Sequence, residues 1–357
     1  MELEEKLNIL VCPLGWGLGH ASRDIPIIER LINMGHTVSI AGDKFQIDYL
    51  QRYFPSINAI HFPSLKARYS RSSSQFFPLL WVALRLPFFN IFEHFLLIRL
   101  IRKNGFNLVI SDNRYGLWSR QIKTVIITHQ LRVIPPSPFK WTLPVIEFML
   151  KRWLGRFNNV VVPDYNDDRS ISGLLSKPNG LENLHYIGPL SRFEDINIDV
   201  DFKGFELVVV VSGPEPQRTI FVDIAENLAV KWRLNCLIIE GNPENGVIPR
   251  VINGVWHVGH LPDLQFALAV KHAKYLVLRG GYSTVMDMLT LGISGLLVPT
   301  PGQTEQEYLA KYLSERNIFR FVTQKDLSVV DIELMRAKKI DTVWRDKDSF
   351  DFFDNLI

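Results

Sequence analysis

The sequence predicts an α/β protein of two domains, each built around a parallel sheet covered by helices. Three observations lead to this prediction. Short apolar runs with the composition of buried parallel strands alternate with helical patterns along the chain. A turn that contains glycine follows the first strand of each half. The chain has 357 residues, of which 47% are hydrophobic, and this is enough for two separate cores.

The first half begins with a strand–helix–strand pattern. Leu7–Cys12 is an apolar run of strand length, and the glycine-rich sequence Gly15–His20 leads from it into a helix with apolar residues at helical spacing. Pro26 is expected in the first turn of this helix, where a missing N–H is tolerated. Further strands of this half are predicted at Thr37–Gly42, Asn58–Phe62, Asn107–Asp112, Thr124–Gln130 and Asn159–Asp164, and the segment His185–Leu190 closes the half.

The second half repeats the alternation after a boundary near Pro189–Phe205, which divides the chain into domains 1–190 and 191–357. The stretch Leu276–Gln306 reads as strand, glycine turn, helix, strand, loop and helix. The repeated alternation predicts two Rossmann-like domains that face each other across a cleft. Ligands bind at the carboxyl ends of parallel strands, so the ligand site is expected in this cleft. The other predicted elements are a strand at Glu206–Gly213, a helix at Gln217–Val230, a strand at Asn235–Gly241, the segment Trp256–Pro262 and a helix at Leu264–Ala273.

The glycine turn of the second domain has the features of an anion site. Gly280 and Gly281 let the backbone turn sharply and approach a ligand, and a helix follows them directly. Unpaired N–H groups and the helix dipole both favour negative charge at a helix start. Thr284 and Asp287 offer a second interpretation, because at this spacing their side chains can cap the helix without a ligand. The first interpretation predicts that the turn holds the diphosphate of a nucleotide sugar.

Composition and charge argue against several classes of protein. The net charge of +3 is only a slight basic excess, so binding of nucleic acid through a broad phosphate footprint is not expected. Cys12 and Cys236 lie in apolar runs of different halves and are expected to be reduced core thiols, which indicates a cytoplasmic location. The sequence has no cysteine and histidine cluster with metal-ligand spacing, and no metal site is predicted. The short, acidic N-terminal run is not typical of a signal peptide.

Two motifs resemble those of a known enzyme group. Gly15–His20, followed by Arg23, is similar to the N-domain loop of GT-B glycosyltransferases, and Leu276–Gln306 resembles the donor motif of their C-domain. The order of motifs is similar over roughly residues 7–320. The best match is the family 28 type, which includes the bacterial enzyme that adds N-acetylglucosamine to the lipid precursor of peptidoglycan. The resemblance implies an inverting, metal-independent hexosyltransferase that uses a UDP-sugar as donor substrate and has no further cofactor.

The resemblance also assigns roles to single residues. Asp287 stands where the family has a carboxylate, usually glutamate, that binds the ribose hydroxyls, and Gln306 stands where a glutamine contacts the donor sugar. Glu307 replaces a second glutamine of the family. Arg192 matches an arginine near the phosphates, and Leu261 matches a segment whose backbone reads uracil. The donor site implied in this way comprises Gly17, Gly19, Arg192, Ser212, Gly213, Leu261, Gly281, Tyr282, Ser283, Thr284, Asp287 and Gln306.

His20 and Asp112 are the candidate catalytic residues. The resemblance places His20 near the reacting centre, and a neutral imidazole is able to take the proton of an acceptor hydroxyl. Asp112 ends a predicted strand and is expected to orient or stabilise that imidazole. Helix capping by His20 and an ordinary turn at Asp112 and Asn113 are the structural alternatives. The assigned roles predict that His20→Ala lowers kcat and that Asp287→Ala raises the donor KM.

Two segments rich in bulky apolar and basic residues, Ser64–Arg102 and Lys140–Phe157, indicate contact with a membrane surface. Such segments can lie on an anionic bilayer, and a lipid-linked or other cell-envelope glycan acceptor agrees with the resemblance. Charged residues, Pro78 and Pro87 interrupt the apolar run Phe76–Ile101, which is therefore not expected to span a bilayer. Helices that pack on the sheet with a solvated basic face are the alternative. The first interpretation places the protein peripherally on the inner face of the cytoplasmic membrane.

Three other functions share parts of this pattern. UDP-sugar 2-epimerases resemble it in their two-domain architecture and donor site. A non-catalytic nucleotide-sugar sensor on the same scaffold would bind UDP without turnover. A dinucleotide-dependent oxidoreductase would use Asp43, at the end of the second strand, to hold a ribose, but in Gly15–His20 the third glycine comes one position too early for that motif.

Overall fold

The computed structural model describes residues 6–66, 69–72, 74–194, 196, 204–341, 343–344 and 351–356. Within these residues the chain forms two compact units. The first comprises 1–66, 79–190 and 346–357, and the second comprises 67–78 and 191–345, as far as each range is described. Each unit is built around its own seven-stranded sheet.

The sheet of the first unit is parallel throughout, in the order β3-β2-β1-β4-β5-β6-β7. Each strand predicted in this half is confirmed. The strands are β1 (Asn8–Cys12), β2 (Thr37–Gly42), β3 (Asn58–His61), β4 (Leu108–Asp112), β5 (Lys123–Ile127), β6 (Asn159–Val162) and β7 (Leu184–Tyr186). The helices in this part of the chain are α1 (Leu18–Asn33), α2 (Lys44–Leu50), α3 (Phe76–Asn104) and α4 (Leu143–Leu154), with 3₁₀ helices at Ser137–Thr142 and Gly173–Ser176.

Burial on both faces explains why the strands are apolar without alternation. Ile9 on one face of β1 packs in the same core cluster as Ile27 and Ile28 of α1. Leu10, on the opposite face, packs with Leu97 of α3. All five side chains are fully buried, and each contributes about 1.5–3 kcal/mol relative to an exposed side chain. Helices therefore cover both faces of this sheet, as expected for parallel strands.

Two helices differ from the prediction. α1 begins at Leu18, so Pro26 is its ninth residue rather than a first-turn residue. Gly17, with a φ of 126°, turns the chain into the helix directly after the β1 loop. α3 is one continuous helix although Pro87 lies inside it, because a single proline removes only one hydrogen bond from a long packed helix. By length and composition α3 could cross a membrane, and Pro87, which interrupts the apolar run, does not break the helix.

The second unit contains a mixed sheet in the order β10-β11-β9-β8-β12-β14-β15. Its strands are β8 (Leu207–Val210), β9 (Cys236–Ile239), β10 (Arg250–Ile252), β11 (Val255–Val258), β12 (Tyr275–Arg279), β14 (Leu296–Val298) and β15 (Arg320–Phe321), and a separate pair is formed by β13 (Ile293–Ser294) and β16 (Lys338–Lys339). The helices are α5 (Gln217–Trp232), α6 (Asp263–Lys271), α7 (Tyr282–Thr290) and α8 (Thr304–Glu315), with 3₁₀ helices at Pro243–Asn245, Asp326–Val329 and Ile332–Met335.

An antiparallel edge strand corrects the prediction of an all-parallel sheet. β10 pairs antiparallel with β11, whereas the other neighbours in this sheet are parallel. The turn between them is Asn253-Gly254, and both residues have positive φ, 52° and 79°. An Asn-Gly pair with this conformation matches the twist of a two-residue hairpin. The hairpin signal was therefore present in the sequence, between two short apolar runs.

The strand order places one topological switch point in each sheet. In the first sheet the chain runs from β1 outward to β2 and β3, and then returns to β4 on the other side of β1. In the second sheet it runs outward from β8 and returns to β12. Loops on either side of a switch point separate and leave a crevice at the carboxyl ends of the strands. The residues that follow β1, β4, β8 and β12 are thus placed to bind ligands.

The last helix of the chain belongs to the first unit. In α9 (Asp351–Leu356), Phe353 is fully buried in the same cluster as Ile28 of α1. Arg30, also on α1, donates from Nε to Asp354 Oδ1 at 2.8 Å. The C-terminal helix therefore contributes core surface to the first unit, although the second unit precedes it in sequence.

Candidate functional site

A histidine, an aspartate and an arginine meet at the switch point of the first sheet. His20 and Arg23 lie one turn apart on α1, and Asp112 is the last residue of β4. His20 Nδ1 is 3.0 Å from Asp112 Oδ1, and Arg23 Nε donates to Asp112 Oδ2 at 2.7 Å. A terminal nitrogen of Arg23 also donates to Asp112 Oδ1. The fold thus brings the two predicted catalytic residues together across 92 positions of sequence.

The charges of this cluster follow from burial and from its ion pairs. Burial alone would raise the pKa of Asp112, but Arg23 and His20 outweigh it and lower that pKa to about 2. Burial lowers the pKa of His20, and the opposing effect of the Asp112 charge is smaller. Near pH 7 the aspartate is therefore ionised and the imidazole is neutral. Because a carboxylate only accepts hydrogen bonds, the imidazole proton belongs on Nδ1, and Nε2 carries the lone pair.

Arg23 lies close to both His20 and Asp112, and the tautomer of the imidazole decides to which of them it donates a hydrogen bond. One of its terminal nitrogens is 3.0 Å from His20 Nδ1. A protonated Nδ1 cannot accept from this nitrogen, which donates to Asp112 instead. The His20 side chain is 18% exposed, whereas those of Asp112 and Arg23 are buried. A hydroxyl group can therefore reach the imidazole, and the ionised Asp112 stabilises the imidazolium that forms when the imidazole takes a proton.

No local sequence pattern predicts the contacts of the other charged residues in and around this cluster. By its position Arg23 could serve a phosphate, an acceptor or a carboxylate, and the structure assigns it to Asp112. Asp24 is fully buried beside them, and burial together with the charge of Asp112 raises its pKa well above the ordinary value. Burial and the neighbouring carboxylate therefore both favour its protonated form. His129 is 4% exposed and lowers the pKa of His20 slightly.

The glycines of the first unit shape the loop that carries His20. Gly17 is the N-cap of α1, and its φ of 126° is accessible to few other residues. Gly19 lies in the first turn of α1, where its carbonyl accepts from Ser22 Oγ at 3.0 Å. A Cβ on Gly15 would lie 2.6 Å from Ser64 Oγ and 2.8 Å from Asp43 Oδ2, so no side chain fits there. The loop therefore packs closely against Asp43.

In the second unit, the loops after β8 and β12 lie side by side at the switch point. Gly281 is the N-cap of α7, and no side-chain hydrogen bond from this residue caps the helix. Thr284 is the third residue of the helix rather than its cap, so the capping-box interpretation is wrong. A Cβ on Gly281 would lie 3.6 Å from Ser212 Oγ and 3.9 Å from Thr284 Oγ1. An anion at this point would meet the helix dipole and two hydroxyl groups.

Three predicted donor-site residues remain in these two loops, Gly213, Tyr282 and Ser283. They contribute to the site mainly through their backbone. Gly213 has a φ of 96°, which favours glycine, and a Cβ there would meet no atom within 4 Å. Tyr282 is 4% exposed, so its side chain belongs to the core of the unit. Ser283 is half-buried. The glycine therefore serves the conformation of the turn.

Arg279, the last residue of β12, braces these loops. Its guanidinium donates to Gln324 Oε1 at 2.8 Å and to the carbonyl of Gln217 at 3.0 Å. It also lies over the ring of Phe221, 4.0 Å from the centroid. Burial lowers the pKa of Arg279 to about 9, so it stays charged near pH 7. Gln217 is the first residue of α5, and Arg279 thus links the loop after β8 to the loop after β12.

Similarity to known proteins bears on this geometry. Residues 263–340 match the glycosyltransferase family 28 C-terminal domain. Two uncharacterized glycosyltransferases, from Methanosarcina mazei and Methanosarcina acetivorans, are each 23% identical to this chain. The aligned region covers 96% of this chain and 92% of each relative.

Solved glycosyltransferase structures share the fold along almost the whole chain. The spinosyn forosaminyltransferase SpnP is 13% identical, with a TM-score of 0.59 over 99% of this chain and 98% of SpnP. The calicheamicin glycosyltransferase CalG4 is 14% identical, with a TM-score of 0.57 over 93% and 89%. UGT89C1 of Arabidopsis thaliana, complexed with UDP-L-rhamnose, is 13% identical, with a TM-score of 0.57 over 91% and 89%. The chain has the GT-B glycosyltransferase fold. The predicted fold class is thus confirmed, with one of its two sheets mixed.

Within the family 28 match, Asp287 lies in a buried polar cluster. It is 9% exposed, and its Oδ1 accepts from Ser191 Oγ at 2.7 Å. Burial raises the pKa of Asp287 to about 6, against the opposing charge of Arg192. Arg192 itself forms an ion pair with Asp263, with 2.9 Å between Nε and Oδ1. Leu261, two residues before Asp263, is half-buried in the loop that precedes α6. The polar cluster thus connects the start of α6 with α7.

The loop before α8 is held by its own side chains. Gln303 is the N-cap of the helix, and its side-chain oxygen accepts from the backbone N–H of Gln306 at 2.6 Å. Gln306 is 8% exposed, and its Oε1 accepts from the backbone N–H of Thr300 at 2.8 Å. Glu307 accepts from the N–H of Gly302 at 2.7 Å and thus closes the same loop. The NH₂ group of Gln306 is the part of this side chain suited to donate to a sugar hydroxyl.

Cysteine and metal chemistry have little support in the described structure. Cys12 and Cys236 are both buried thiols, and burial raises the pKa of each to about 12. Such thiols are poor nucleophiles and poor metal ligands. Within the described ranges, no group of three or more His, Cys, Asp or Glu side chains could hold a metal ion.

Proposed function

We propose that this protein transfers a hexose or N-acetylhexosamine from a UDP-sugar to an acceptor hydroxyl, with inversion at the anomeric carbon and without a metal ion. The observation that carries the proposal is the pairing of a neutral His20 with an ionised Asp112 at a switch point of the GT-B fold. The family 28 match of residues 263–340 supports a sugar-nucleotide site in the second unit. Structural neighbours with bound UDP or UDP-L-rhamnose support UDP as the nucleotide.

In the proposed reaction His20 is the general base. Its Nε2 takes the proton of the acceptor hydroxyl while the hydroxyl oxygen attacks the anomeric carbon from the side opposite the nucleotide. The bond from that carbon to the diphosphate oxygen breaks, and its electron pair leaves with UDP. The new C–O bond therefore has the inverted configuration. Asp112 stabilises the imidazolium, which then releases the proton to water.

The second unit supplies stabilisation of the leaving group. The N-terminus of α7 and the hydroxyls of Ser212 and Thr284 would bind the diphosphate and take up its developing charge. In other transferases a divalent cation neutralises the charge of the diphosphate. Here these groups would neutralise it, and the reaction is therefore proposed to be independent of metal. Asp287 would accept hydrogen bonds from the ribose hydroxyls, and Gln306 would donate to the sugar.

Assays of UDP release and sugar transfer over UDP-, GDP- and dTDP-sugars test this proposal, with UDP-N-acetylglucosamine as the first donor. Turnover with a UDP-sugar that His20→Ala abolishes is the expected result. His61→Ala is the matched control, because His61 is an exposed histidine on edge strand β3. Isomerisation of the free nucleotide sugar without transfer would instead identify a 2-epimerase. Binding of UDP without turnover, unaffected by His20→Ala, would identify a sensor.

The acceptor side of the proposal rests on an exposed apolar face of the first unit. Along α3 a stripe of large side chains at helical spacing is between 48% and 76% exposed, and it extends over about 21 Å. The stripe consists of Trp81, Leu84, Phe88, Ile91, Phe92 and Phe95. On the neighbouring 3₁₀ helix and α4, Trp141 and Phe148 are more than 70% exposed. Apolar patches of this size mark interaction sites rather than ordinary surface.

The opposite face of α3 holds the helix against the sheet. Leu97 and Ile101 pack in the core cluster with Val109 of β4. Glu93, the one acidic residue of α3, is buried and forms an ion pair with Arg114 at 2.7 Å. A helix that packs in this way lies on the domain instead of spanning a bilayer, although its length would allow a span.

We propose that this face lies on an anionic membrane and gives access to a lipid-linked acceptor. Exposed basic residues flank the apolar stripe, namely Arg85, Arg99, Arg102, Lys103, Lys140, Lys151 and Arg152. Apolar side chains would enter the interface while these cations meet lipid headgroups. The location that follows is the cytoplasm, with peripheral attachment to the inner face of the membrane.

Sedimentation with vesicles tests the membrane proposal separately from the chemistry. The protein should bind phosphatidylglycerol-containing vesicles and bind neutral phosphatidylcholine vesicles much less. Phe88→Ser should weaken this binding, because Phe88 is 76% exposed on α3. Ile248→Ser is the matched control, since Ile248 is 77% exposed but lies in the second unit. Equal binding to both vesicle types, or equal effects of the two substitutions, would contradict the proposal.

A further inference from the structure

An arginine that the proposed reaction does not use is buried beside the proposed catalytic residues. Arg114 is 1% exposed and follows Asp112 by two residues, in the loop after β4. Ser111 Oγ donates to the carbonyl of Arg114 at 2.7 Å, which closes this loop back onto the strand. A charged side chain is seldom buried unless it is paired, so the partners of Arg114 indicate what it does.

The guanidinium of Arg114 connects the loop after β4 to two other loops at the same edge of the sheet. One terminal nitrogen donates to the carbonyl of Pro13, in the loop after β1, at 3.4 Å. The other donates to the carbonyl of Pro63, in the segment after β3. The guanidinium carbon also lies 4.7 Å from the centroid of the Phe62 ring. One side chain therefore joins the loop that follows Asp112 to the loop that leads into α1.

The segment after β3 also holds the loop that leads to His20. Trp16 Nε1 donates to the carbonyl of Leu65 at 2.5 Å. Trp16 lies four residues before His20, and Leu65 lies two residues after Pro63, which accepts from Arg114. A displacement of the Arg114 side chain would therefore reach His20 along two routes, through the loop after β1 itself and through the segment after β3.

Glu93 of α3 fixes the orientation of this guanidinium. Arg114 Nε donates to Glu93 Oε1 at 2.9 Å, and a terminal nitrogen is 2.7 Å from the same oxygen. A Cβ on Gly116 would lie 2.6 Å from Glu93 Cβ and 2.5 Å from the carbonyl oxygen of Asn90, so α3 packs directly against the loop after β4. Glu93 is itself 3% exposed, and removal of either partner would leave the other charge buried and uncompensated.

We propose that Arg114 is a positioning residue of the transfer reaction, which keeps His20 and Asp112 at hydrogen-bond distance by tying together the loops after β1, β3 and β4. The inference rests on the proposed function. It predicts an effect on the catalytic step and not on binding of the nucleotide. The partners of Arg114 named above lie in the first unit, whereas the loops proposed to bind the diphosphate lie in the second.

Kinetics of sugar transfer by Arg114→Lys, with the best donor from the screen, test the inference. Lysine keeps a positive charge for Glu93 but lacks the planar guanidinium, so it cannot bind both proline carbonyls in the same geometry. The value of kcat should fall about 10- to 100-fold, because small displacements of a catalytic group cost this much. The affinity for UDP, measured by calorimetry, should change less than twofold. Glu93→Gln releases the guanidinium from α3 and should lower kcat in the same selective way.

Asp164→Asn is the matched control for a general loss of stability. Asp164 is a fully buried carboxylate of the first unit, which accepts from the backbone N–H groups of Ile171 and Ser172 at 2.7 and 2.9 Å. This substitution should lower the free energy of unfolding in urea, as those at Arg114 and Glu93 should. It should leave kcat within about twofold of the wild-type value.

Nitrogen-15 NMR of the histidine side chains gives a second readout, which a purely structural role would not change. In the wild-type protein the ionised Asp112 should hold the His20 proton on Nδ1. If the contact loosens in Arg114→Lys, His20 should show a mixture of both tautomers. Asp164→Asn should retain the wild-type signal, and His20→Ala assigns that signal in the spectrum.

The other possible results would overturn the inference. These are an unchanged kcat in Arg114→Lys and Glu93→Gln, an equal loss of kcat in Asp164→Asn, or a loss of kcat without a change in the His20 tautomer. Weakening of UDP binding to the same extent as kcat would likewise show a general structural role. A wild-type protein that transfers no sugar would overturn the proposed function, whereas the NMR comparison would still decide whether Arg114 positions His20.

Discussion

Acidification from pH 7 to pH 5 should weaken binding of a UDP-sugar about tenfold through a single carboxyl group, Asp287. This side chain is 9% exposed, and burial raises its pKa to about 6. Ribose hydroxyls donate to an ionised carboxylate better than to a carboxylic acid. With this pKa about one site in eleven is ionised at pH 5, against about ten in eleven at pH 7. The apparent dissociation constant should rise in proportion.

The same pKa sets an effect on the stability of the empty protein. Because the folded-state value lies above the ordinary value of 3.8, Asp287 binds a proton between about pH 4 and pH 6 in the folded state only. Its contribution to stability is therefore fully present below pH 4 and is lost as the pH rises through 6. The difference in pKa corresponds to about 3 kcal/mol. Asp287→Asn should thus raise the free energy of unfolding at pH 7 by up to about this amount.

Calorimetry with an intact UDP-sugar between pH 5 and pH 8 is the suitable assay for donor binding. The diphosphate of a UDP-sugar has no free terminal phosphate group that titrates near pH 6, so the protein supplies the pH dependence. Urea unfolding of the empty protein at pH 5 and pH 7 measures the stability effect. In Asp287→Asn, donor binding should be weaker at pH 7 and should no longer depend on pH in this range.

Two results would refute the reasoning about Asp287. One is a wild-type affinity that stays constant between pH 7 and pH 5. The other is a pH dependence that persists in Asp287→Asn, which would assign the titration to another group. Asp263→Asn serves as a control for the local charge, since Asp263 pairs with Arg192 and raises the pKa of Asp287 only weakly.

Four further substitutions test other parts of the site. His20→Ala should lower kcat by about 100- to 10,000-fold with little change in donor KM, as measured by UDP release, because the base acts only in the transition state. Asp112→Asn should lower the free energy of unfolding in urea by about 3–5 kcal/mol, since it leaves Arg23 buried without an anion; an unchanged midpoint would contradict the ion-pair assignment. Gly213→Ala should cost about 1–3 kcal/mol in the same assay because of its positive φ, whereas Gly281→Ala, at a φ of −76°, should cost less.

Local sequence patterns were sufficient for most of the strands and for the glycine turns. The apolar runs at β1, β4, β8 and β12 identify these strands directly, since burial on both faces requires continuous apolar side chains. The resemblance to GT-B glycosyltransferases selected His20, and the rule that ligands bind at the carboxyl ends of such strands selected Asp112. The hairpin at Asn253-Gly254 shows that a readable local signal was missed.

Other features had no local signal. α3 is apolar on most of its surface, so its sequence does not tell which side faces the core; the packing of Leu97 and the ion pair of Glu93 decide this. The hydrogen bonds from Gln217 to the carbonyls of Ser70 and Ser72 join residues from different halves of the chain, and no periodicity relates them. The return of α9 to the first unit depends on the fit of Phe353 into a core formed by other helices and strands.

The sequence by itself determined the α/β class, the positions of the turns and the types of side chain at the strand ends, because these depend on neighbours a few residues away. Only the tertiary structure decided that Arg23 pairs with Asp112, that Asp287 is buried deeply enough to hold a proton near pH 6, and that Ser70 and Ser72 lie with the second unit. The physical reason is that ionisation, desolvation and contact are set by groups that are near in space. Strand order, which no short stretch of sequence contains, determines which groups those are.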